Sequence, residues 1–146
     1  MAVASRFTVA LHALTWIAEM SKENTEHVPS DRIAESVGTS PVFIRRILGM
    51  LGRAHLVSVK HGGKDTGWKL ARRPEDITLL QVYEAVEQKP LFELHHSTPS
   101  NTCLIAKGIR PALNTIYGKA ENAMKNQLSE YSIADLLKET LTQASL

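Results

Sequence analysis

Apolar residues recur every three or four positions along most of the chain, a spacing typical of helices. The first predicted helix spans residues 5–20 and is apolar on two sides. One side carries Phe7, Ala10, Leu11, Leu14, Ile17 and Ala18, and the other carries Val9, Ala13, Trp16 and Met20. A helix that is apolar on two sides needs two packing partners. The second partner is either the rest of one deep core or a second subunit, and the sequence leaves both open.

Two short helices follow, separated by a turn signal at residues 38–40. The first begins around Ser30 and ends near Gly38, because glycine readily adopts the left-handed conformation that ends a helix. Ser40 is a predicted N-cap and Pro41 fits the first helical position, so the second helix is expected to run to about residue 54. Its inward face comprises Ile44, Ile47, Leu48 and Leu51, flanked by Phe43 and Met50. Two short helices joined by a tight turn predict a helix-turn-helix unit.

Two segments that alternate apolar and polar residues, 56–60 and 68–71, surround a glycine-rich basic loop at residues 61–67. This alternation predicts a β-hairpin. A hairpin directly after a helix-turn-helix unit is typical of a wing. The glycine pair in the loop lacks the spacing of a nucleotide-binding loop, so no nucleotide site is expected.

The second half of the chain is predicted to be helical, apart from an irregular segment at residues 88–101. Pro74 is expected to start a fourth helix, and a long helix is expected from Thr102 to Ser129, with a kink or break at Pro111. Ser132 and Asp135 form a capping-box pattern before a last helix. A narrow apolar stripe on the long helix comprises Ile105, Ile109, Ala112, Ile116, Ala120 and Ala123. Such a stripe is typical of a helix–helix seam and predicts an antiparallel dimer interface.

These elements predict a mainly α fold with a small β-hairpin, in which a winged helix-turn-helix is followed by a long C-terminal dimerisation helix. We expect a DNA-binding domain at residues 1–87, a loop at 88–101 and a helical dimerisation region at 102–146. The 146 residues suit this arrangement. No apolar run is long enough to span a membrane, and the N-terminus lacks a signal-peptide core, so a soluble cytoplasmic protein without membrane partners is expected.

Charge is unevenly distributed along the chain. The net charge is only +2, but nine basic and two acidic residues lie between Arg32 and Arg73, a net charge of +7. A basic segment within a nearly neutral chain is typical of a polyanion-binding surface, although a merely solvated surface has the same composition. The outward face of the second short helix carries Val42, Arg45, Arg46, Gly49 and Arg53. Because this face contains three arginines and no acid, we interpret it as a recognition surface for guanine edges or phosphates.

The chain contains one cysteine, which excludes an internal disulfide framework and an all-cysteine metal site within one chain. Cys103 is expected in the first turn of the long helix, where the helix dipole favours a reactive thiolate. It is either a redox sensor or a small apolar residue packed beside Leu104. His95 and His96 lie nearby and leave a His/His/Cys zinc site open by residue type, although adjacent histidines are poor ligands for a single zinc ion. No base–orienter pair accompanies these groups, so an enzyme is not expected.

The order of these segments resembles the Rrf-type family of winged helix-turn-helix bacterial regulators, the IscR, NsrR and CymR group. The resemblance rests on residues 4–14, 37–48 and 77–87, on the Gly62–Gly63 wing and residues 70–72 after it, and on the terminal segment 132–136. It implies a homodimeric transcription factor, usually a repressor, that binds a double-stranded DNA operator. In that family the recognition helix enters the major groove and the wing reaches the backbone or the minor groove.

The resemblance and the basic surface together give a set of expected DNA-binding residues. The set is Ser5, Arg6, Thr39, Ser40, Val42, Phe43, Arg45, Arg46, Arg53, Lys60, His61 and Lys64. Some members of the family hold an iron–sulfur cluster with three cysteines, and this chain departs from that pattern because it has only Cys103. No cluster or other cofactor is therefore expected. A protein–protein adaptor that uses the same basic face for an acidic partner remains the alternative function, and the residues do not identify a small-molecule or redox effector.

Overall fold

The computed structural model describes residues 3–23, 26–64 and 66–146; Asp65, in the predicted wing loop, lies outside them. In chain order the elements are α1 (Val3–Met20), α2 (Ser30–Val37), α3 (Pro41–Arg53), β1 (Val57–Lys60), β2 (Gly67–Leu70), α4 (Leu79–Val86), α5 (Leu104–Ser129) and α6 (Ile133–Ala144). The strands pair antiparallel, with Val57 opposite Leu70 and Lys60 opposite Gly67. The predicted class, mainly helical with one small hairpin, is confirmed.

Helix α1 is the central helix of the first of two compact units, which comprises the residues up to Gln88 together with Leu128–Leu146. It contacts α2, α3, α4, α6 and β2. Ala10, Ala13, Leu14 and Ile17 are fully buried, and the remaining residues of the two apolar sides named above pack around the same core. Both apolar sides of α1 are thus used within its own unit, which accounts for the two stripes without a second subunit.

The start of α4 differs from the sequence prediction. Residues Pro74–Asp76 form a single 3-10 turn, Ile77 is extended, and Thr78 caps the helix. The Thr78 hydroxyl accepts a hydrogen bond from the Gln81 backbone N–H at 3.1 Å, and the Gln81 side chain accepts one from the Thr78 N–H at 2.9 Å. This reciprocal capping box sets the helix start, because it satisfies two backbone donors that the helix leaves open. In the preceding turn, a hydrogen bond from Arg73 lowers the pKa of Asp76 below its ordinary value.

Helix α6 belongs to the first unit, although it follows the long helix α5 in the chain. Its predicted capping box is present, with the Ser132 hydroxyl accepting from the Asp135 N–H at 3.0 Å. The Ile133 N–H donates to the Ile77 carbonyl at 2.8 Å, and Ile133 is fully buried. Leu128–Leu146, which include α6, are thus grouped in one compact unit with the winged helix-turn-helix elements.

The second unit comprises Lys89–Gln127. Its irregular segment packs on one face of α5, where the Phe92 ring stacks on Tyr117 with 4.7 Å between centroids. The Arg110 guanidinium donates to the backbone carbonyls of His95 and Ser97 and so ties this segment to the helix. Helix α5 continues through Pro111, so the expected break is absent. A proline removes one backbone hydrogen bond from a helix. The 26-residue helix nevertheless continues before and after Pro111, where its other backbone hydrogen bonds remain.

Candidate nucleic-acid interface

The turn between α2 and α3 has the geometry that the sequence predicts. Gly38 is left-handed with φ +83°, and its N–H donates to the Ala34 carbonyl. Ser40 caps α3 by accepting a hydrogen bond from the Phe43 N–H at 3.2 Å, and Pro41 occupies the first turn. A left-handed glycine lets α2 stop abruptly, while the cap and the proline start α3 at once. The buried residues Ile44, Ile47, Leu48 and Leu51 then fix which face of α3 points outward.

The outward face of α3 is basic and open. Val42, Arg45, Arg46 and Arg53 are exposed, and α3 contains no acidic residue. Gly49 lies between them on this face, and a methyl group added there would meet only the Arg53 guanidinium, at 3.9 Å. The fold itself therefore does not require a glycine at this position. Because glycine has no side chain, a partner could approach the backbone of α3 more closely at this position than elsewhere on the face.

Arg45 and Arg46 differ in their surroundings. The Arg45 Nη1 donates to the Ser30 hydroxyl at 3.2 Å and lies 3.8 Å from the Asp31 carboxylate, both on α2. Arg46 has no hydrogen-bond or ion-pair partner within the part of the chain that the structure describes. Sequence reasoning treated the two arginines alike, because contacts between helices leave no signal in local spacing.

The wing presents His61 and Lys64 at an exposed loop beyond Lys60, the last residue of β1. Gly62 and Gly63 adopt φ values of +70° and +85°, and Thr66 donates from its hydroxyl to the Gly63 carbonyl at 2.9 Å. The base of the wing is fixed by a contact that the sequence did not predict. Val28 and Trp68 exchange two backbone hydrogen bonds, of 2.7 and 2.8 Å, so the segment before α2 holds β2 in place.

Arg6, expected at the start of α1 as a phosphate contact, has a structural partner. Its guanidinium donates to the Glu87 carboxylate at 3.1 Å, and the Glu87 side chain is almost completely buried while Arg6 is 40% exposed. Ser5 is exposed beside it. A buried carboxylate needs such a partner, so Arg6 anchors the end of α4 whether or not it contacts DNA. No pattern in the sequence marked Glu87.

The other expected contact residues, in the turn and at the start of α3, are either partly buried or engaged in the fold. Thr39 is half-buried, and Phe43 is half-buried with its ring packed against the core. Ser40 is exposed, but its hydroxyl is used as the cap of α3. The exposed cations of the expected set thus lie on α3 and on the wing. The turn between α2 and α3 mainly sets the direction of the backbone.

Cys103 lies immediately before α5 rather than inside its first turn. Its carbonyl accepts the Lys107 N–H at 3.0 Å, and α5 begins at Leu104. The cysteine is free and exposed, and Leu104 is also exposed, so the two do not pack together in a core. His95, in the segment before α5, has its Nδ1 atom 2.5 Å from the Ser97 hydroxyl.

The apolar stripe of α5 is exposed along its length. Ile105, Ile109 and Ile116 are 74%, 44% and 57% exposed, and Ala112, Ala120 and Ala123 are exposed as well. The irregular segment of the same unit covers a different face of α5, the one that carries Arg110 and Tyr117. Exposed isoleucines at helical spacing on one face are unusual for a surface that faces only water.

A helix-turn-helix followed by a two-stranded wing, with basic residues on the second helix, defines the winged-helix class of nucleic-acid-binding domains. Comparison with known families makes this assignment specific. The sequence profile of the Rrf2 family, described as an iron-dependent transcriptional regulator, matches residues 3–139. The chain belongs to the Rrf2 family and is a transcriptional regulator.

Individual relatives agree with the family assignment. The chain is 36% identical over 134 residues to YwnA of Bacillus subtilis (strain 168), a candidate HTH-type transcriptional regulator, covering 91% of this chain and 95% of YwnA. A crystal structure of a candidate DNA-binding protein is similar, with a TM-score of 0.72 and 32% identity over 90% of this chain and 98% of that one. IscR of T. potens, at 21% identity and a TM-score of 0.68 over 92% of this chain and 85% of that chain, shares the fold.

The residues of this chain do not fit the iron–sulfur cluster of some relatives. Such a cluster takes several cysteine thiolates, and the whole sequence contains one cysteine. Across the described ranges, no group of three or more His, Cys, Asp or Glu side chains is placed to hold a metal ion. The segment before α5 is instead held by Arg110 through backbone carbonyls.

Over the residues that the structure describes, no helix combines the length and the apolar character that a membrane span requires.

Proposed function

We propose that this protein is a homodimeric repressor that binds a near-palindromic DNA operator, with α3 in the major groove and the wing on the backbone or in the minor groove. The observation that carries the proposal is the outward face of α3, where three exposed arginines occur without an acid. Arginine forms bidentate hydrogen bonds with guanine edges and strong contacts with phosphates. A face of this kind suits a polyanion that approaches closely over Gly49.

Contacts to bases and contacts to the backbone are assigned to different residues. Arg45 and Arg46, on the middle of the exposed face, are the proposed base-edge or phosphate contacts. Arg53, Lys60, His61 and Lys64 lie further along α3 and on the wing, where cations typically fix the position of the protein on the duplex. Ser5 and Arg6 would touch phosphate near the start of α1.

The dimer interface is the apolar stripe of α5, and its occupant is a second copy of this chain. A stripe with residues three and four positions apart is self-complementary when two helices pack antiparallel. The family assignment supports a second copy rather than a different protein, because regulators with one recognition helix per chain read two half-sites by pairing.

Selection of bound duplexes from a random pool, with reduced and oxidised protein side by side, tests the proposal. We expect enrichment of a sequence with two-fold symmetry and half-sites about one helical turn or a multiple of it apart. Recovery of no preferred sequence, together with no duplex affinity at low salt, would favour the adaptor function, in which the same face binds an acidic protein.

Substitution of exposed cations should separate the contacts by their salt dependence. Arg46→Ala and Lys64→Ala are expected to weaken operator binding and to reduce the slope of log K against log salt by about 0.9 for each phosphate that a protomer no longer neutralises. Lys138→Ala is the control, since Lys138 is an exposed lysine on α6 outside the proposed surface. Fluorescence anisotropy at four salt concentrations measures the slope. Equal slopes for the wild type and all three variants would refute this map.

Cys103 can report the orientation of the paired helices. The stripe is centred near residue 114, so in an antiparallel pair each Cys103 lies about 16 Å from the centre at 1.5 Å per residue. Two thiols roughly 30 Å apart cannot form a disulfide, which requires Cα atoms within about 7 Å. We therefore expect no intersubunit disulfide after mild oxidation, as judged by non-reducing electrophoresis. Redox sensing, if Cys103 performs it, then proceeds through a sulfenic acid.

The matched experiment places a cysteine at the middle of the stripe. Ala112→Cys in a Cys103→Ser background should be cross-linked by a short bismaleimide, whereas Cys103 in the native protein should not. An efficient Cys103 disulfide would show a parallel pair or a different register.

Catalysis and cofactor chemistry form no part of the proposal. The wing and α3 bind rather than transform a substrate, and one cysteine cannot hold a three-thiolate cluster. We infer that the protein acts in the cytoplasm as a regulator without an iron–sulfur cofactor. Iron analysis of protein purified without oxygen tests this: a stoichiometric amount of iron would contradict it.

A further inference from the structure

Arg45 is held by two groups at the start of the neighbouring helix. Its Nη1 atom donates to the Ser30 hydroxyl at 3.2 Å and lies 3.8 Å from an Asp31 carboxylate oxygen. Ser30 is the first residue of α2 and Asp31 lies in its first turn. In this structure the guanidinium is directed toward the start of α2, and its side chain is 51% exposed and that of Asp31 78% exposed.

Arg46, the next residue, provides an internal comparison. It is exposed on the same face and has no polar partner among the described residues, so its side chain can follow a phosphate in several rotamers. A base edge demands more, because two hydrogen bonds must be made in one plane. An arginine that is already oriented loses less rotamer entropy when it forms such a pair.

We propose that Ser30 and Asp31 are positioning residues that orient Arg45 toward a base edge and thereby determine sequence specificity, while Arg46 supplies phosphate affinity. The proposal rests on the proposed DNA-binding function. It also explains why an acid lies directly beside a surface that binds a polyanion. A carboxylate there weakens the attraction of Arg45 for phosphate in general, and it leaves the directed contact with a base as the favoured one.

The sign of the effect distinguishes positioning from simple charge. Removal of an acid from a DNA-binding surface strengthens binding to every duplex alike. Loss of a positioning residue instead lowers the ratio of operator affinity to non-operator affinity. Asp31→Asn is expected to leave non-operator binding unchanged or tighter and to reduce this ratio about tenfold, within the range for one bidentate base contact. Ser30→Ala should reduce the ratio in the same direction without a change of charge.

Glu35→Gln is the matched control, because Glu35 is an exposed acid on the same helix, one turn further along. It should shift operator and non-operator affinities equally. In an Arg45→Ala background, Asp31→Asn should no longer change the ratio, since the arginine that it orients is gone. The affinities come from competition titrations against the selected operator and a scrambled duplex, with a thermal melt to confirm folding.

The outcomes separate this inference from the proposed function. If the wild-type protein selects no sequence, the proposed function itself fails. If the wild type is specific but Asp31→Asn and Ser30→Ala both retain its ratio, or if Asp31→Asn lowers the ratio equally without Arg45, the positioning inference is overturned while DNA binding stands.

Discussion

Replacement of Ile116 by aspartate is expected to convert the proposed dimer to a monomer and to weaken operator binding about a hundredfold or more, because two linked half-sites bind far more tightly than one. Ile116 is 57% exposed near the middle of the α5 stripe. In an antiparallel pair it would be covered by the partner helix, so a carboxylate there would be buried without a counter-charge, at a cost of several kcal/mol. Sedimentation velocity measures the first effect and gel shifts measure the second.

Asn122→Asp is the control for this substitution. Asn122 is exposed on α5 but lies away from the stripe. The substitution therefore adds the same charge to the same helix outside the proposed interface. We expect it to remain dimeric and to bind the operator as the wild type does. If the Ile116→Asp protein folds normally and remains dimeric, the dimer interface does not lie on the stripe.

Local signals in the sequence were sufficient for the helix-turn-helix unit. Gly38, Ser40 and Pro41 act within one or two turns of their own positions, since a left-handed glycine ends a helix and a capped proline starts one. The capping box at Ser132 is equally local. These features fix where each element begins and ends, and the apolar period then fixes which face of α3 is outward.

Elements whose limits depend on competition or on distant contacts were predicted less well. Pro74 is a valid start signal, but Thr78 and Gln81 provide a stronger one four residues later. The place of α6 depends on hydrogen bonds between segments that are far apart in sequence, such as Ile133 with Ile77. Periodicity shows that α6 has an apolar face and does not show which core receives it.

Some features of the candidate site could likewise be predicted from the sequence, and others depend on tertiary contacts. The basic outward face of α3 follows from composition and helical spacing, because both are properties of one segment. The roles of Arg45 and Arg6 do not, since Asp31 and Glu87 reach them only through the tertiary fold. The interaction of Arg6 with a buried carboxylate gives it a structural role that a count of surface charges misses.

Gly67→Ala is expected to destabilise the fold by about 3–4 kcal/mol, the combined cost of a strained backbone and disturbed backbone hydrogen bonds. Gly67 has φ +146°, and a Cβ atom would lie 2.4 Å from the Val28 carbonyl oxygen. That oxygen accepts the Trp68 N–H at 2.8 Å, so the clash is with the bridge that anchors β2. Relief requires the wing to move away from Val28, which exposes part of the core beneath it.

Gly63→Ala separates the clash from the loss of a glycine. Gly63 is also left-handed, with φ +85°, but nothing lies within 4 Å of an added Cβ atom. It should therefore cost only the backbone strain, about 1–2 kcal/mol. Urea titrations followed by circular dichroism measure both variants, and the difference between them isolates the Val28 contact. Equal destabilisation would show that the bridge gives way at no cost and that the wing is held by its side chains, with the half-buried Trp68 ring as the principal contact.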